Sequence, residues 1–188
     1  MYLTPVLRFA HRLLSDTVSV GDAVMDGTAG NGHDTLLLAK LVGIEGKVWA
    51  FDVQEQALQA TLGRLKNEGM ERQVALILDG HQHAAEYVDQ PLAAAVFNFG
   101  WLPGSDKSCT TQAQTSIAAL DSAVAMLKSG GLLVAVLYPG HEAGREEAAA
   151  VETWAAVLPQ REYAVLKYGF INQKNRPPYI LAVEKLHI

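Results

Sequence analysis

Four short apolar runs in this chain each end on an aspartate or an asparagine, and each is followed by a turn and then by a helical pattern. The runs 23–25, 47–51, 74–78 and 92–97 stop at Asp26, Asp52, Asp79 and Asn98. Helical spacing covers 35–41, 55–67 (stopped by Gly69) and 111–128 (stopped by Gly130-Gly131). A fifth strand at 132–138 precedes a helix at 142–157, and 5–14 forms an amphipathic helix ahead of the first strand. Strands that alternate with helices build a mostly parallel sheet with helices on both faces. The last two strands, 163–168 and 179–184, have no helix between them. They must pair as a hairpin, so one of them runs antiparallel to the rest. The expected fold class is α/β, with seven strands and a terminal antiparallel hairpin. The expected organisation is one domain over 1–188, with 1–20 as a helical segment packed on it.

Composition narrows the class. Of 188 residues, 49% are hydrophobic and 19% charged, which excludes a largely disordered chain. Lys+Arg number 15 and Asp+Glu 20, a formal charge of −5. Whole-protein attraction to nucleic acid is therefore excluded as the main binding force, whereas a local basic patch is not. The lone cysteine, Cys109, cannot form an internal disulfide or a cysteine-cluster metal site, and it suits a reducing compartment. The first residues lack the basic-then-apolar pattern of a signal peptide, and no apolar run reaches the ~20 residues that span a bilayer. The expectation is a soluble, cytoplasmic protein without a membrane contact and without a metal.

The turn after the first strand reads Asp26-Gly27-Thr28-Ala29-Gly30-Asn31-Gly32-His33-Asp34-Thr35. Gly30 and Gly32 remove side chains where backbone could approach a ligand, and the next helix offers free N–H groups. Asp52 follows twenty residues beyond Gly32, where a carboxylate can accept from both hydroxyls of a ribose. Gln54 either lines the same pocket or is solvated. Asp79, followed by Gly80 and His81, either accepts from an adenine amino group or caps the next short helix. Thr35 stands where a dinucleotide fingerprint has Gly or Ala, which favours S-adenosylmethionine (SAM) over NAD. A dehydrogenase would also need a substrate domain for which the chain has no room. The arrangement of strands is that of class I, Rossmann-like, SAM-dependent methyltransferases. In such a site the Gly loop faces the methionine part of SAM, with Asp26 toward its ammonium.

After the fourth strand comes Asn98-Phe99-Gly100-Trp101-Leu102-Pro103-Gly104. This resembles the Asn/Asp-Pro-Pro-aromatic loop of amino-group methyltransferases, with Gly100 and Leu102 in place of the prolines and Trp101 as the ring. In that loop the Asn oxygen accepts from a nitrogen nucleophile.

Further stretches carry a closer resemblance: 98–107, Tyr138-Pro139-Gly140-His141-Glu142-Ala143-Gly144, and Asn172-Gln173-Lys174-Asn175-Arg176-Pro177-Pro178. With 26–35 they resemble, in matching order, the rRNA-methylase-like family of class I SAM-dependent methyltransferases. Characterised members of that family methylate 5-aminomethyl-2-thiouridine at the tRNA wobble position. Phe99 and Trp101 depart from the family's usual Asn-Leu-Gly-Tyr-Leu-Pro loop but keep its apolar or aromatic character. The resemblance implies SAM as cofactor, the tRNA anticodon arm as partner and an N-methylation. The alternatives are rRNA or a small-molecule amine as substrate, or a binding module without catalysis.

The expected cofactor contacts are Asp26, Thr28, Gly30, Asn31, Gly32, Asp34, Thr35, Asp52, Gln54, Asp79, His81 and Asn98. An alkyl amine attacks only when neutral, so the enzyme must position it and give its proton a route. Asn98 positions, and Asp26, Asp106, Tyr138 and His141 are polar candidates near strand ends, with His141 otherwise a helix cap. Base stacking falls to Trp101, Tyr138 or Tyr168. Phosphate contacts fall to Arg8, Arg12, Lys107, Lys174 and Arg176. A homodimer would extend the surface available to an anticodon arm.

Overall fold

The computed structural model describes residues 2–100 and 113–187. The chain runs α1 (Val6–Thr17), β1 (Ala23–Asp26), α2 (His33–Val42), β2 (Lys47–Asp52), α3 (Glu55–Glu68) and β3 (Val74–Leu78). A 3-10 helix (His81–Glu86), β4 (Leu92–Phe99), α4 (Ala113–Met126), β5 (Leu127–Leu137), α5 (Glu142–Ala156), β6 (Tyr163–Tyr168) and β7 (Tyr179–Lys185) follow. The seven strands form one sheet in the order β3-β2-β1-β4-β5-β7-β6. β1 to β5 pair in parallel, while β7 lies antiparallel between β5 and β6. The expected hairpin is therefore present, with its second strand inserted against β5.

Alternation along the strands divides the core. Met25, Phe97, Leu133, Ala135, Leu137 and Val183 face one side, against α4 and α5. Val24, Val96, Val134 and Ala182 face the other, against α1 and α2. Trp49, Phe51, Phe97 and Phe99 are among the largest buried side chains, and burying each contributes about 1.5–3 kcal/mol. Val6, Ala10 and Leu14 of α1 are buried at helical spacing, so this segment is part of the same packing as the sheet.

Helices α1 and α2 run a turn or less beyond their expected ends, and two strand boundaries differ in ways that bear on the sheet. α4 ends at Met126, and Gly130-Gly131 fall inside a long β5 rather than stopping a helix. Leu127 pairs with Leu92 and the register then shifts before Ala94 meets Leu132. The glycines make that irregularity possible: Gly130 has φ +74°, and a Cβ on Gly131 would lie 2.9 Å from the Leu92 carbonyl oxygen. β4 also runs past Asn98 to Phe99, because Asn98 and Phe99 still pair with Val136 and Leu137.

Growth of the sheet reverses between β1 and β4. β2 and β3 lie on one side of that point, β5 and the hairpin on the other. At such a switch point the connections leave in opposite directions from the C-terminal strand ends and open a crevice. Asp26 and Asn98 stand at the ends of these two strands.

Candidate active site at the β1–β4 switch point

Two of the strand-ending aspartates first of all turn the chain. Asp26 Oδ1 accepts the Thr28 N–H at 3.0 Å, and Asp52 Oδ1 accepts the Gln54 N–H at 2.9 Å. Both are local turns of the kind Asp favours, closing on the residue two positions later. The remaining oxygens reach further. Asp26 Oδ2 accepts from the Thr35 hydroxyl at 2.6 Å, tying the start of the loop to the first turn of α2. Asp52 Oδ2 accepts the Gly30 N–H at 2.9 Å, holding the loop against the end of β2.

The loop is braced from every side. Thr61 Oγ1 donates to the Gly30 carbonyl at 3.1 Å, and Arg64 Nε donates to the Asn31 carbonyl at 2.7 Å. His81 Nδ1 donates to the Gly27 carbonyl at 2.9 Å, which fixes its tautomer, and its ring meets Phe97 and Phe99 edge-on. Burial lowers the His81 pKa, so this brace is a neutral imidazole. Gly32 has φ +76°, and a Cβ there would sit 2.8 Å from the Thr61 Cα. Its missing side chain therefore serves the approach of α3 and the left-handed backbone.

Asp26 is fully buried, and burial with the nearby Asp34 charge raises its pKa to about 7, against the opposing bonds from Thr35 and Thr28. A carboxyl with both oxygens engaged inside the protein shapes the loop. Asp79 is likewise occupied: its oxygens accept from Gly80 N–H, His83 and the Tyr87 hydroxyl. Gln54 sits at the N-cap position of α3, its side-chain oxygen accepting from Gln56 at 3.3 Å.

A second group of contacts gathers around Asn98. Thr28 Oγ1 accepts the Asn98 N–H at 2.7 Å, joining the β1 loop to β4. Asn98 Nδ2 donates to Asp34 Oδ2 at 2.5 Å, and the Tyr138 hydroxyl approaches Asn98 Oδ1 at 3.4 Å. Asp34 Oδ1 meets His11 Nε2 of α1 at 2.6 Å. The structure thus takes Asp34, expected as a cofactor contact, to the amide of Asn98. Burial and the Asp34 charge raise the Tyr138 pKa, so this phenol is a donor and not a base. His141 is the N-cap of α5, its Nδ1 accepting the Gly144 N–H at 3.0 Å, which is the capping alternative for this residue.

The expected substrate side divides as follows. Arg8 and Arg12 lie exposed on α1, Arg12 also pairing with Asp16 at 3.5 Å. Lys174 and Arg176 are exposed in the hairpin loop, where Asn175 and Arg176 both adopt positive φ. That loop lies against the turn after Tyr138: a Cβ on Gly140 would be 3.6 Å from the Asn175 carbonyl oxygen. Tyr168 instead stacks on Phe9 with centroids 4.0 Å apart, and its hydroxyl donates to the Thr4 carbonyl at 2.7 Å. It clamps α1 to the hairpin, a correction to its expected place as a base-stacking ring. Trp101, Asp106, Lys107 and Cys109 lie outside the described residues. Sequence reasoning missed Thr61 and Arg64, which have no motif of their own, and Val53, which stands 63% exposed beside Asp52. Leu78, paired with Asp52 across β2 and β3, is 57% exposed. Both are exposed apolar side chains flanking the Asp52 carboxylate, one next to it in sequence and one paired with it across the sheet.

Among the described residues no helix is long and apolar enough to cross a membrane. The family model described as "Putative rRNA methylase" matches residues 48–184. The chloroplastic tRNA (mnm(5)s(2)U34)-methyltransferase of Arabidopsis thaliana is 33% identical over 186 residues, covering 94% of this chain and 68% of that protein. A structure described as an rRNA-methylase from Clostridium thermocellum superposes with TM-score 0.97 at 38% identity, covering 99% of this chain and 100% of that one. A Streptococcus mutans structure described as a "putative methyltransferase … in complex with SAH" superposes with TM-score 0.91 at 37% identity, covering 98% and 99% of the two chains. With the seven-stranded order, the glycine loop at its switch point and these relatives, SAM is the cofactor and the chain belongs to the rRNA methylase family of class I SAM-dependent methyltransferases.

Proposed function

We propose that this protein N-methylates the 5-aminomethyl group of 2-thiouridine at the tRNA wobble position. The observation that carries this reading is Asn98, whose Nδ2 is taken by Asp34 and whose Oδ1 is turned the other way. An amide oxygen at the end of β4 is an acceptor for the N–H of an amine and aims its lone pair. The kinship with the Arabidopsis tRNA methyltransferase supports the choice of nucleic acid.

In this reading SAM, when bound, would supply an electrophilic methyl group with sulfur as the leaving atom. Asp52 would accept from the ribose hydroxyls with the lone pairs left by Gly30 and Gln54, and the exposed Val53 and Leu78 would pack against the adenine. Asp26, Thr28, Gly30, Asn31, Gly32, Thr35 and His81 set the loop that faces the methionine part. Asn98 orients the neutral amine with the Oδ1 lone pair left over by the Tyr138 hydroxyl, which donates to the same oxygen at 3.4 Å. The substrate ammonium gives up its proton toward solvent before attack, so orientation supplies much of the rate. Arg8, Arg12, Lys174 and Arg176 meet phosphates. The reaction belongs to the cytoplasm. A homodimer completes the reading, since β6 is an edge strand with Val165 and Leu166 exposed; a purely monomeric sedimentation profile would remove that part.

Calorimetry with SAM and nucleoside mass spectrometry of substrate tRNA test the reading. Binding of SAM together with appearance of the methylaminomethyl nucleoside is expected. SAM binding without it, or a methyl group appearing in rRNA instead, overturns the substrate assignment and leaves the cofactor standing.

A further inference from the structure

The fold places His11, from the helix ahead of the first strand, two hydrogen bonds away from the side chain that receives the amine. We propose that His11 is a positioning residue for methyl transfer: through Asp34 it locks the Asn98 amide with its oxygen toward the acceptor nitrogen.

The chain of polarity follows from donor and acceptor chemistry. A carboxylate only accepts, so the nitrogen of Asn98 must face Asp34 Oδ2, at 2.5 Å, and the oxygen must face away. The same argument at 2.6 Å puts the proton of His11 on Nε2, donating to Asp34 Oδ1. Each carboxylate oxygen thus has a defined partner, and the imidazole on one holds the other in line with the amide. Asp34 is mostly sheltered, its side chain 17% exposed, while His11 is 43% exposed and closes the pair from outside. Without His11, Asp34 is free to rotate about its side-chain bonds, which loosens the shorter of the two contacts that tell the amide's ends apart and leaves the Tyr138 hydroxyl, 3.4 Å from Oδ1, as the other. An inverted amide would present N–H groups to an amine that also needs an acceptor. The hydrogen bond to Asp34 raises the His11 pKa, which favours the charged imidazolium and so a charge-assisted bond to the carboxylate. α1 itself is held by the Phe9–Tyr168 stack and the Tyr168–Thr4 bond, so His11 is delivered by a fixed element.

This inference rests on the reading of Asn98 as the amine's acceptor, and the test separates the two. In 15N-labelled protein, the Asn98 side-chain amide resonance is identified by its loss in Asn98→Ala. It should shift and broaden in His11→Ala and return toward the wild-type position in His11→Gln, whose amide N–H can still donate to Asp34. An unmoved resonance in His11→Ala overturns the inference with no substrate involved. In turnover, His11→Ala should lower kcat about tenfold with SAM affinity unchanged, and His11→Gln should recover most of it. On the Asn98→Ala background, His11→Ala should cost nothing further, because the group it positions is gone. Equal losses on both backgrounds, or a parallel loss of SAM affinity, would overturn the positioning role in favour of a structural or RNA-contact role. A moved resonance in an enzyme that leaves tRNA unmethylated would sink the substrate reading alone.

Discussion

At the scale of single residues, Asp26 and Asp52 look alike in sequence and differ in what surrounds them. Asp26 is sealed inside the protein, with a pKa raised to about 7 from 3.8 by burial first and by Asp34 second. It therefore holds a proton in the folded protein over a range where the unfolded chain has released it. Its contribution to stability is full below the unfolded value of 3.8 and is lost as pH rises toward 7. Urea midpoints between pH 5 and 8 should fall for the wild type relative to Asp26→Asn, which has no proton to lose. Asp52 is partly open and keeps lone pairs for a ligand. Asp52→Ala should weaken SAM binding on the order of ten- to a hundredfold in calorimetry, through lost charged hydrogen bonds and a loosened Gly30.

At the scale of elements, the β1–α2 loop is held by α3 as much as by its own glycines. Gly32→Ala must fit a Cβ into the 2.8 Å gap to the Thr61 backbone at a positive φ. A loss of about 1–3 kcal/mol in denaturant unfolding is expected. α1 and the hairpin form a second unit, joined by the stack of Phe9 on Tyr168 and by Phe170 at the edge of Tyr168. Phe9→Ala should cost about 2 kcal/mol in a thermal melt and lower turnover as well, because α1 carries His11.

At the scale of the whole molecule, a formal charge of −5 means that the proposed tRNA substrate would have to be held by local cations rather than by the overall charge. A few phosphate contacts give a shallow salt dependence, with a slope of log K against log salt of about −3. Lys174→Ala with Arg176→Ala should reduce the steepness by about 1–2 and leave SAM affinity intact. The element order, the sheet and its hairpin, and the positions of the loop and of Asn98 could all be read from sequence. Each rests on local rules: strand and helix periodicity, glycine punctuation and turn-forming aspartate. The reach of Asp34 to both His11 and Asn98, the sealing of Asp26, the clamp made by Tyr168 and the brace from Thr61 and Arg64 could not. These partners lie between 9 and 164 positions apart along the chain, and only the parallel pairing of β1 with β4, with α1, α2, α3 and the hairpin packed around them, brings them into contact. Sequence determined which chemistry is available at the strand ends; the tertiary structure decided which groups face a ligand and which are spent on holding one another, because hydrogen-bonding capacity satisfied inside the fold is no longer available to a substrate.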